Sequence, residues 1–317
     1  MKLKEIAQIL GNSHLKVPEA EINWLLTDSR ALSFPTQSLF FALRTRRNDG
    51  HRYIRELYDQ HLRYFVVSET LPEFEKMHDA IFIRVNDTLE ALQHLAAAHR
   101  AAFQIPIVGI TGSNGKTIVK EWLYQLLHSD FIITRSPRSY NSQIGVPLSV
   151  WGLNNNTELG IFEAGISQPH EMERLEPIIR PTIGIFTNLG DAHQENFSSL
   201  KQKCEEKLKL FVHAQVLIYC SDNRLVDIAV AQSDFKGKLF SWGRNENAVL
   251  QLVKTEKLSD STKVVYKFSG KESVISIPFT DDASVENAMH CVALMLHLGF
   301  DSEKIRQRLA KLESVEM

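Results

Sequence analysis

The sequence predicts an α/β protein: a small mixed α/β N-terminal domain, then a central doubly wound, mostly parallel sheet built on a phosphate loop and carrying an antiparallel meander. Three observations predict it. From Ile105 onward, continuous apolar runs alternate with helical stretches, the pattern of parallel strands covered on both faces. One strand-to-helix junction there reads Gly109-Ile-Thr-Gly-Ser-Asn-Gly-Lys-Thr117. Residues 1–100 lack that strict alternation, which sets one domain over 1–100 and a second over 101–317. A length of 317 residues agrees with about two domains.

In the first region, Ser38 to Leu43, Tyr64 to Val67 and Ile81 to Val85 read as strands, because β-branched and aromatic residues fill them. A helix follows: Asp87 and Glu90 have capping-box spacing ahead of Leu89, Leu92, Leu95 and Ala96, which recur at helical period. In the second region the strands are Ile105–Ile110, Phe131–Thr134, Leu159–Glu163, Thr182–Thr187, Val216–Tyr219 and Leu239–Ser241. Val249–Lys254, Lys263–Phe268 and Ser273–Ile277 form the meander, and helices over about Ser284–Leu298 and Ser302–Leu312 close the chain.

A chain with 44% apolar and 23% charged residues can bury a real core, and 15 Gly plus 10 Pro excludes collagen-like or low-complexity architecture. The net charge of −2 disfavours a generally basic nucleic-acid binder, while leaving room for a local anion site. No apolar run reaches the ~18 residues of a membrane helix, and Met1–His14 lacks the apolar centre of a signal peptide. The expected compartment is therefore the cytoplasm. Cys204, Cys220 and Cys291 are odd in number and form no CxxC pair, so they read as reduced thiols.

The Gly109–Thr117 segment follows an apolar strand and opens a helical stretch with Ile118, Val119, Trp122, Leu126 and Leu127. That context is what nucleotide phosphate binding requires. Gly112 and Gly115 let the backbone approach an anion, successive N–H groups and the helix start face it, Lys116 supplies charge, and the Thr117 hydroxyl can ligate magnesium, with Ser113 and Asn114 completing the loop. The strict G-x-x-x-x-G-K-[ST] spacing would place glycine at 110, where Ile110 stands.

In a doubly wound sheet, ligands bind beyond the carboxyl ends of the strands. Glu163 closes one strand, so its carboxylate can hold magnesium or serve as a cap or ion-pair partner. Asn188 and His193 follow another strand end, and on spacing alone His193 reads as a surface-loop histidine. Lys201 to Lys209 pairs Glu205 with Lys209 and Lys203 with Lys207 at i,i+4, which reads as a solvated helix face.

With these residues in place, the chain resembles the Mur ligases, ATP-dependent amide ligases of peptidoglycan precursor synthesis. GITGSNGKT looks like the family's ATP loop, Tyr140-Asn-Ser-Gln-Ile-Gly-Val-Pro-Leu148 its substrate loop, and Phe162-Glu-Ala-Gly165 the strand end bearing a magnesium glutamate. TNLGDAH, ending at His193, resembles the segment whose histidine binds a second metal. Glu206-Lys-Leu-Lys-Leu-Phe211 resembles the stretch with a carbamylated lysine, which falls on Lys207. Asn287 in Glu286-Asn-Ala288 resembles the asparagine beside adenine. Thr27-Asp-Ser-Arg30 and Asp49-Gly-His51 look like uridine-nucleotide motifs, and NSQIGVPLS with FFAL and NDGH is closest to the members joining D-alanyl-D-alanine to UDP-N-acetylmuramoyl-tripeptide.

The resemblance implies ATP and about two Mg2+ ions as cofactors. It implies catalytic roles for Lys116, Lys207 and His193, and an ATP site at Gly112, Ser113, Asn114, Gly115, Lys116, Thr117 and Asn287. Metal falls to Thr117, Glu163, His193 and carbamylated Lys207. Substrate contacts fall to Ser29, Arg30, Asp49, Gly50, His51, Asn141 and Ser142. The partners implied are UDP-N-acetylmuramoyl-tripeptide and D-alanyl-D-alanine, with no nucleic acid and no membrane span. A typical relative continues into a C-terminal Rossmann-like domain absent from this sequence, and some relatives are fused to an alanine racemase. The alternatives are the ligase adding the third amino acid to the same precursor, a folylpolyglutamate-type ligase, and a nucleotide-binding fragment without turnover.

Overall fold

The structure is a computed structural model, and it describes residues 1–45, 48–190 and 196–315. The chain divides into two compact units, Met1–Ala102 and Phe103–Met317.

The first unit contains α1 (Leu3–Ile9), β1 (Trp24–Leu26), β2 (Ser38–Phe41), α2 (Ile54–Asp59), β3 (Tyr64–Val67), β4 (Ile81–Arg84) and α3 (Thr88–Ala101). Its strands form one parallel sheet in the order β1-β2-β3-β4. Phe40, Phe65 and Val67 from the sheet pack with Ile54 and Leu57 of α2 in its core. Asp87 caps α3 by accepting the Leu89 and Glu90 N–H groups at 2.7 and 2.9 Å, and Leu92, Leu95 and Ala96 are buried as the period requires.

In the second unit the elements run β5 (Ile107–Thr111), α4 (Lys116–Leu127), β6 (Ile133–Arg135), α5 (Gly145–Val150), β7 (Leu159–Glu163), α6 (Glu171–Ile179), β8 (Ile183–Phe186) and α7 (Leu200–Leu208). They continue through β9 (Val216–Cys220), α8 (Arg224–Gln232), β10 (Lys238–Gly243), β11 (Leu250–Lys257), β12 (Thr262–Phe268), β13 (Lys271–Ile277), α9 (Asp282–His297) and α10 (Ser302–Leu309). Among the described residues these strands make one sheet in the order β13-β12-β11-β10-β9-β8-β5-β7-β6. Every pair from β6 across to β11 is parallel, and β11-β12-β13 is the antiparallel meander. The β12–β13 turn is Ser269-Gly270 with φ +50° and +79°, the positive values that a tight two-residue hairpin demands.

Residues of β5, β7 and β8 are buried along their whole lengths, as expected for strands with helices on both faces. Trp122, Leu123, Leu126 and Leu127 of α4 and Met289, Val292 and Met295 of α9 fill one of the interiors. The sheet order puts β5 between β8 and β7, so the chain leaving β5 emerges beside the carboxyl ends of both neighbours. No helix among the described residues is long and apolar enough to cross a membrane.

Candidate active site

The loop after β5 is shaped by two glycines that no other residue could replace without strain. Gly112 has φ +149°, and a Cβ there would lie 1.9 Å from Thr187 Oγ1. Gly115 has φ +82° and serves as the cap of α4, and a Cβ there would lie 2.3 Å from Asn287 Oδ1. Asn287 is buried on α9, so the loop packs directly against that helix.

The end of β8 holds the loop in place. Ser113 N donates to Asn188 O and Asn114 N to Asn188 Oδ1, both at 2.9 Å. The Thr187 hydroxyl donates to Asn114 O at 2.6 Å, and Gly190 N donates to Ser113 Oγ at 2.9 Å. Behind Thr187 stands His290, fully buried. A tryptophan N–H can only donate, so Trp242 Nε1–H makes His290 Nδ1 an acceptor at 3.0 Å, and Nε2–H then donates to Thr187 O at 2.8 Å. The ring is thereby neutral, and burial lowers its pKa to about 4.

Lysines converge on the same loop. Lys116 Nζ donates to Gly112 O at 2.9 Å and Ser113 O at 3.3 Å, and Lys207 Nζ donates to the same Gly112 O at 3.0 Å. Lys203 Nζ donates to Gly190 O at 2.5 Å. Burial depresses the Lys116 pKa, with the Glu163 charge opposing and the Lys203 charge adding to the shift. Burial and then repulsion from Lys116 and Lys203 bring Lys207 down to about 7. The solvated face expected for 201–209 is therefore corrected. Lys203, Cys204, Glu206 and Lys207 of α7 are buried, because the apolar stripe of Cys204 and Leu208 turns this side of the helix inward.

On the other side of the loop, Glu163 at the end of β7 is fully buried. Its Oε2 accepts from Thr117 Oγ1 at 3.0 Å and Asn141 Nδ2 at 3.4 Å, and its Oε1 accepts from Lys120 Nζ at 3.1 Å. A carboxylate and a hydroxyl side by side at a strand end are the hard oxygen donors that Mg2+ takes, so these residues fit that ion. Ser142 Oγ accepts the Gly145 N–H at 3.1 Å at the start of α5. Beyond the ends of β8, β9 and β10 a cavity of about 300 Å³ is lined by Asn188, Asp222, Trp242, Arg244 and Glu286 among others.

In the first unit, Ser29 opens a short 3-10 turn and Arg30 projects into solvent, its guanidinium paired with Asp28 at 2.6 Å. That pairing lowers the Asp28 pKa. Gly50 is buried where a Cβ would meet the Ala42–Leu43 backbone at 2.8 Å. His51 is also buried, with Nδ1 on Asp49 Oδ1 at 2.6 Å and Nε2 accepting the Ser68 N–H at 3.1 Å. Burial pushes Asp49 up, but hydrogen bonds from His51 and Arg44 outweigh it and leave the group at about 2. Asp49, His51 and Glu69 lie close enough to suggest a metal cluster, yet Arg44 bridges both carboxylates at 2.8 Å and His51 Nε2 is already occupied. They form an internal ion-pair network.

The structure thus brings together Gly112, Ser113, Asn114, Gly115, Lys116, Thr117, Glu163, Asn141, Lys207 and Asn287. His193 lies outside the described residues. Sequence reasoning missed Lys120, Lys203 and His290, since a lysine or histidine inside a helix carries no local mark of burial.

The family profile described as Mur ligase middle domain matches residues 110–295. The chain belongs to the Mur ligase family. Among relatives of this Mur ligase chain, the UDP-N-acetylmuramoyl-tripeptide–D-alanyl-D-alanine ligase of Bacillus subtilis is 28% identical, over 99% of this chain and 68% of the relative. Those of Rickettsia prowazekii and a Synechocystis species are 30% and 31% identical, over 86% and 92% of this chain and 61% and 62% of theirs. The chain therefore spans about two thirds of the length of these relatives. Two solved structures share the fold. MurF from Acinetobacter baumannii superimposes with a TM-score of 0.86 at 23% identity, over 99% of this chain and 68% of that one. MurF from Thermotoga maritima, solved in complex with ADP, gives 0.80 at 22% identity, over 92% and 66%.

Proposed function

We propose that this chain supplies the substrate-nucleotide and ATP-binding portions of a ligase that joins D-alanyl-D-alanine to UDP-N-acetylmuramoyl-tripeptide. The observation that carries the reading is the convergence of Lys116, Lys207, Thr117 and Glu163 around one glycine loop at adjacent strand ends. The names of the relatives supply the substrates. A cytoplasmic location belongs to the same reading.

In this reading the terminal carboxylate of the tripeptide attacks the γ-phosphorus of ATP, the bond to the β-bridging oxygen breaks, and ADP leaves. The product is an acyl phosphate. The amine of D-alanyl-D-alanine then adds to the acyl carbon, phosphate departs, and the amine proton is lost as the amide forms. Both steps concentrate negative charge on phosphoryl or carbonyl oxygens, so fixed cations and N–H donors provide most of the assistance. Lys116 leaves the Gly112 carbonyl for the phosphates, and the N–H groups at the start of α4 face the same anion. Thr117 and Glu163 would hold Mg2+, which supplies Lewis-acid polarisation and charge neutralisation.

Only a neutral amine adds to CO2, and a Lys207 pKa near 7 makes that form abundant at neutral pH. Its carbamate would carry negative charge into a cluster of cations and, with His193, offer oxygen and nitrogen to a second metal ion. Asn287 and the cavity beside it suit the adenosine part. Asn141 and Ser142 would position the muramoyl part, and Ser29 and Arg30 the uridine nucleotide. Asp49, Gly50 and His51 belong to the same proposed substrate region, as its framework.

The test is thermal stabilisation by Mg2+–ADP and by UDP-N-acetylmuramoyl-tripeptide, with the dipeptide form as comparison. Stabilisation by ADP, and greater stabilisation by the tripeptide than by the dipeptide form, is expected. No response to either nucleotide would overturn the reading.

A further inference from the structure

Lys120 is fully buried, one helical turn beyond Lys116 on α4 and three residues from Thr117. A buried ammonium is costly unless its donors are all matched. Here they are. Lys120 Nζ donates to Ser136 O at 2.8 Å, to Arg138 O, and to Glu163 Oε1 at 3.1 Å, and Glu121 Oε1 also lies at 3.1 Å. An ammonium has three N–H donors, so none is left for a phosphate or a peptide. Lys120 therefore does not share the task of Lys116, although the two follow each other on the same helix face.

Its partners define a different task. Glu163 is anchored by Lys120 at Oε1, while the Thr117 hydroxyl at the start of α4 lies nearer Oε2, at 3.0 Å, than Oε1, at 3.3 Å. Ser136 and Arg138 belong to the segment between β6 and Asn141, and Asn141 reaches Glu163 Oε2 at 3.4 Å. One side chain thus fixes the carboxylate and the loop that approaches it from the other side. Without it, Glu163 would lose its only cationic contact among those described for it and be free to turn Oε2 away from Thr117.

We propose that Lys120 is a positioning residue that orients Glu163 so that Oε2, together with Thr117 Oγ1, is presented to the divalent cation of the bound nucleotide. The proposal rests on the nucleotide-binding reading above. It makes Lys120 act through Glu163, not on the nucleotide itself.

The experiment is calorimetric titration of ADP with excess Mg2+ and again with EDTA, on the wild type and on Lys120→Met, Glu163→Gln and the double variant. Lys120→Met is expected to lose about tenfold or more of the Mg2+-dependent gain in ADP affinity, while affinity in EDTA stays within about twofold of wild type. The double variant is expected to match Glu163→Gln, because a residue acting through Glu163 has nothing left to orient. Retention of the full Mg2+ gain by Lys120→Met, or equal loss with and without Mg2+, would overturn the proposal. If the lone buried charge keeps Lys120→Met from folding, the double variant, which removes both charges, still decides: Mg2+–ADP binding weaker than that of Glu163→Gln overturns it. Failure of the wild type to bind ADP under either condition would instead refute the nucleotide reading.

Discussion

Acidification should destabilise this protein through His290. The ring is fully buried between Trp242 Nε1 and Thr187 O, and its pKa falls from 6.5 to about 4 in the folded protein. A histidine with a depressed folded pKa contributes stability that is complete above its unfolded pKa and is lost as pH falls from about 6.5 towards 4, because the unfolded chain binds the proton first. Between about pH 7.5 and about pH 5, proton linkage with these two pKa values gives a loss of about 2 kcal/mol. The assay is urea unfolding followed by tryptophan fluorescence at both pH values, for wild type and for His290→Gln, which stays neutral throughout. Lys207 is depressed too and loses stability in the same direction, but it is common to both proteins and cancels in the comparison. Wild type should lose roughly 2 kcal/mol more than the variant, a midpoint difference on the order of 1 M urea. Equal losses in the two proteins would refute the assignment of a neutral, buried imidazole.

Lys116→Ala should weaken ADP binding by about tenfold to a hundredfold in calorimetry, the worth of a charge-assisted hydrogen bond to phosphate, with the melting temperature nearly unchanged. Gly115→Ala forces a Cβ to 2.3 Å from Asn287 Oδ1 at φ +82°, so it should cost about 1–3 kcal/mol in denaturant unfolding and release the loop from α9. Labelled bicarbonate should give a carbamate carbon resonance above about pH 7 that fades below it, as Lys207 becomes protonated. That resonance should be missing in Lys207→Ala. Leu123→Ala, emptying a fully buried site on α4, should cost about 2–5 kcal/mol.

What was legible in the sequence was what local rules control. The runs that became β5, β7, β8 and β9 are apolar on both faces because helices cover both sides, and no tertiary knowledge is needed to see that. The glycine-rich turn between β5 and α4 was equally visible, since Gly112 and Gly115 answer to their own backbone angles. The strand β1 is only Trp24–Leu26, too short to show a period, and finds its place by pairing with β2. Lys120 and Lys203 resemble solvent-facing lysines in sequence, and only the arrival of carbonyls from 136, 138 and 190 makes their burial tolerable. Charge at i,i+4 on α7 likewise cannot reveal which side the helix presents to the sheet.

In the nucleotide reading proposed above, the Gly112 carbonyl bears on how tightly an anion is held. Lys116 rests on that oxygen at 2.9 Å, at the opening turn of α4. A lysine tethered there has already given up much of its rotamer freedom, which costs roughly 2 kcal/mol for a free side chain. Ligand arrival then exchanges one acceptor for a better one instead of freezing a mobile chain, so part of the ordering entropy is spent during folding and not on binding.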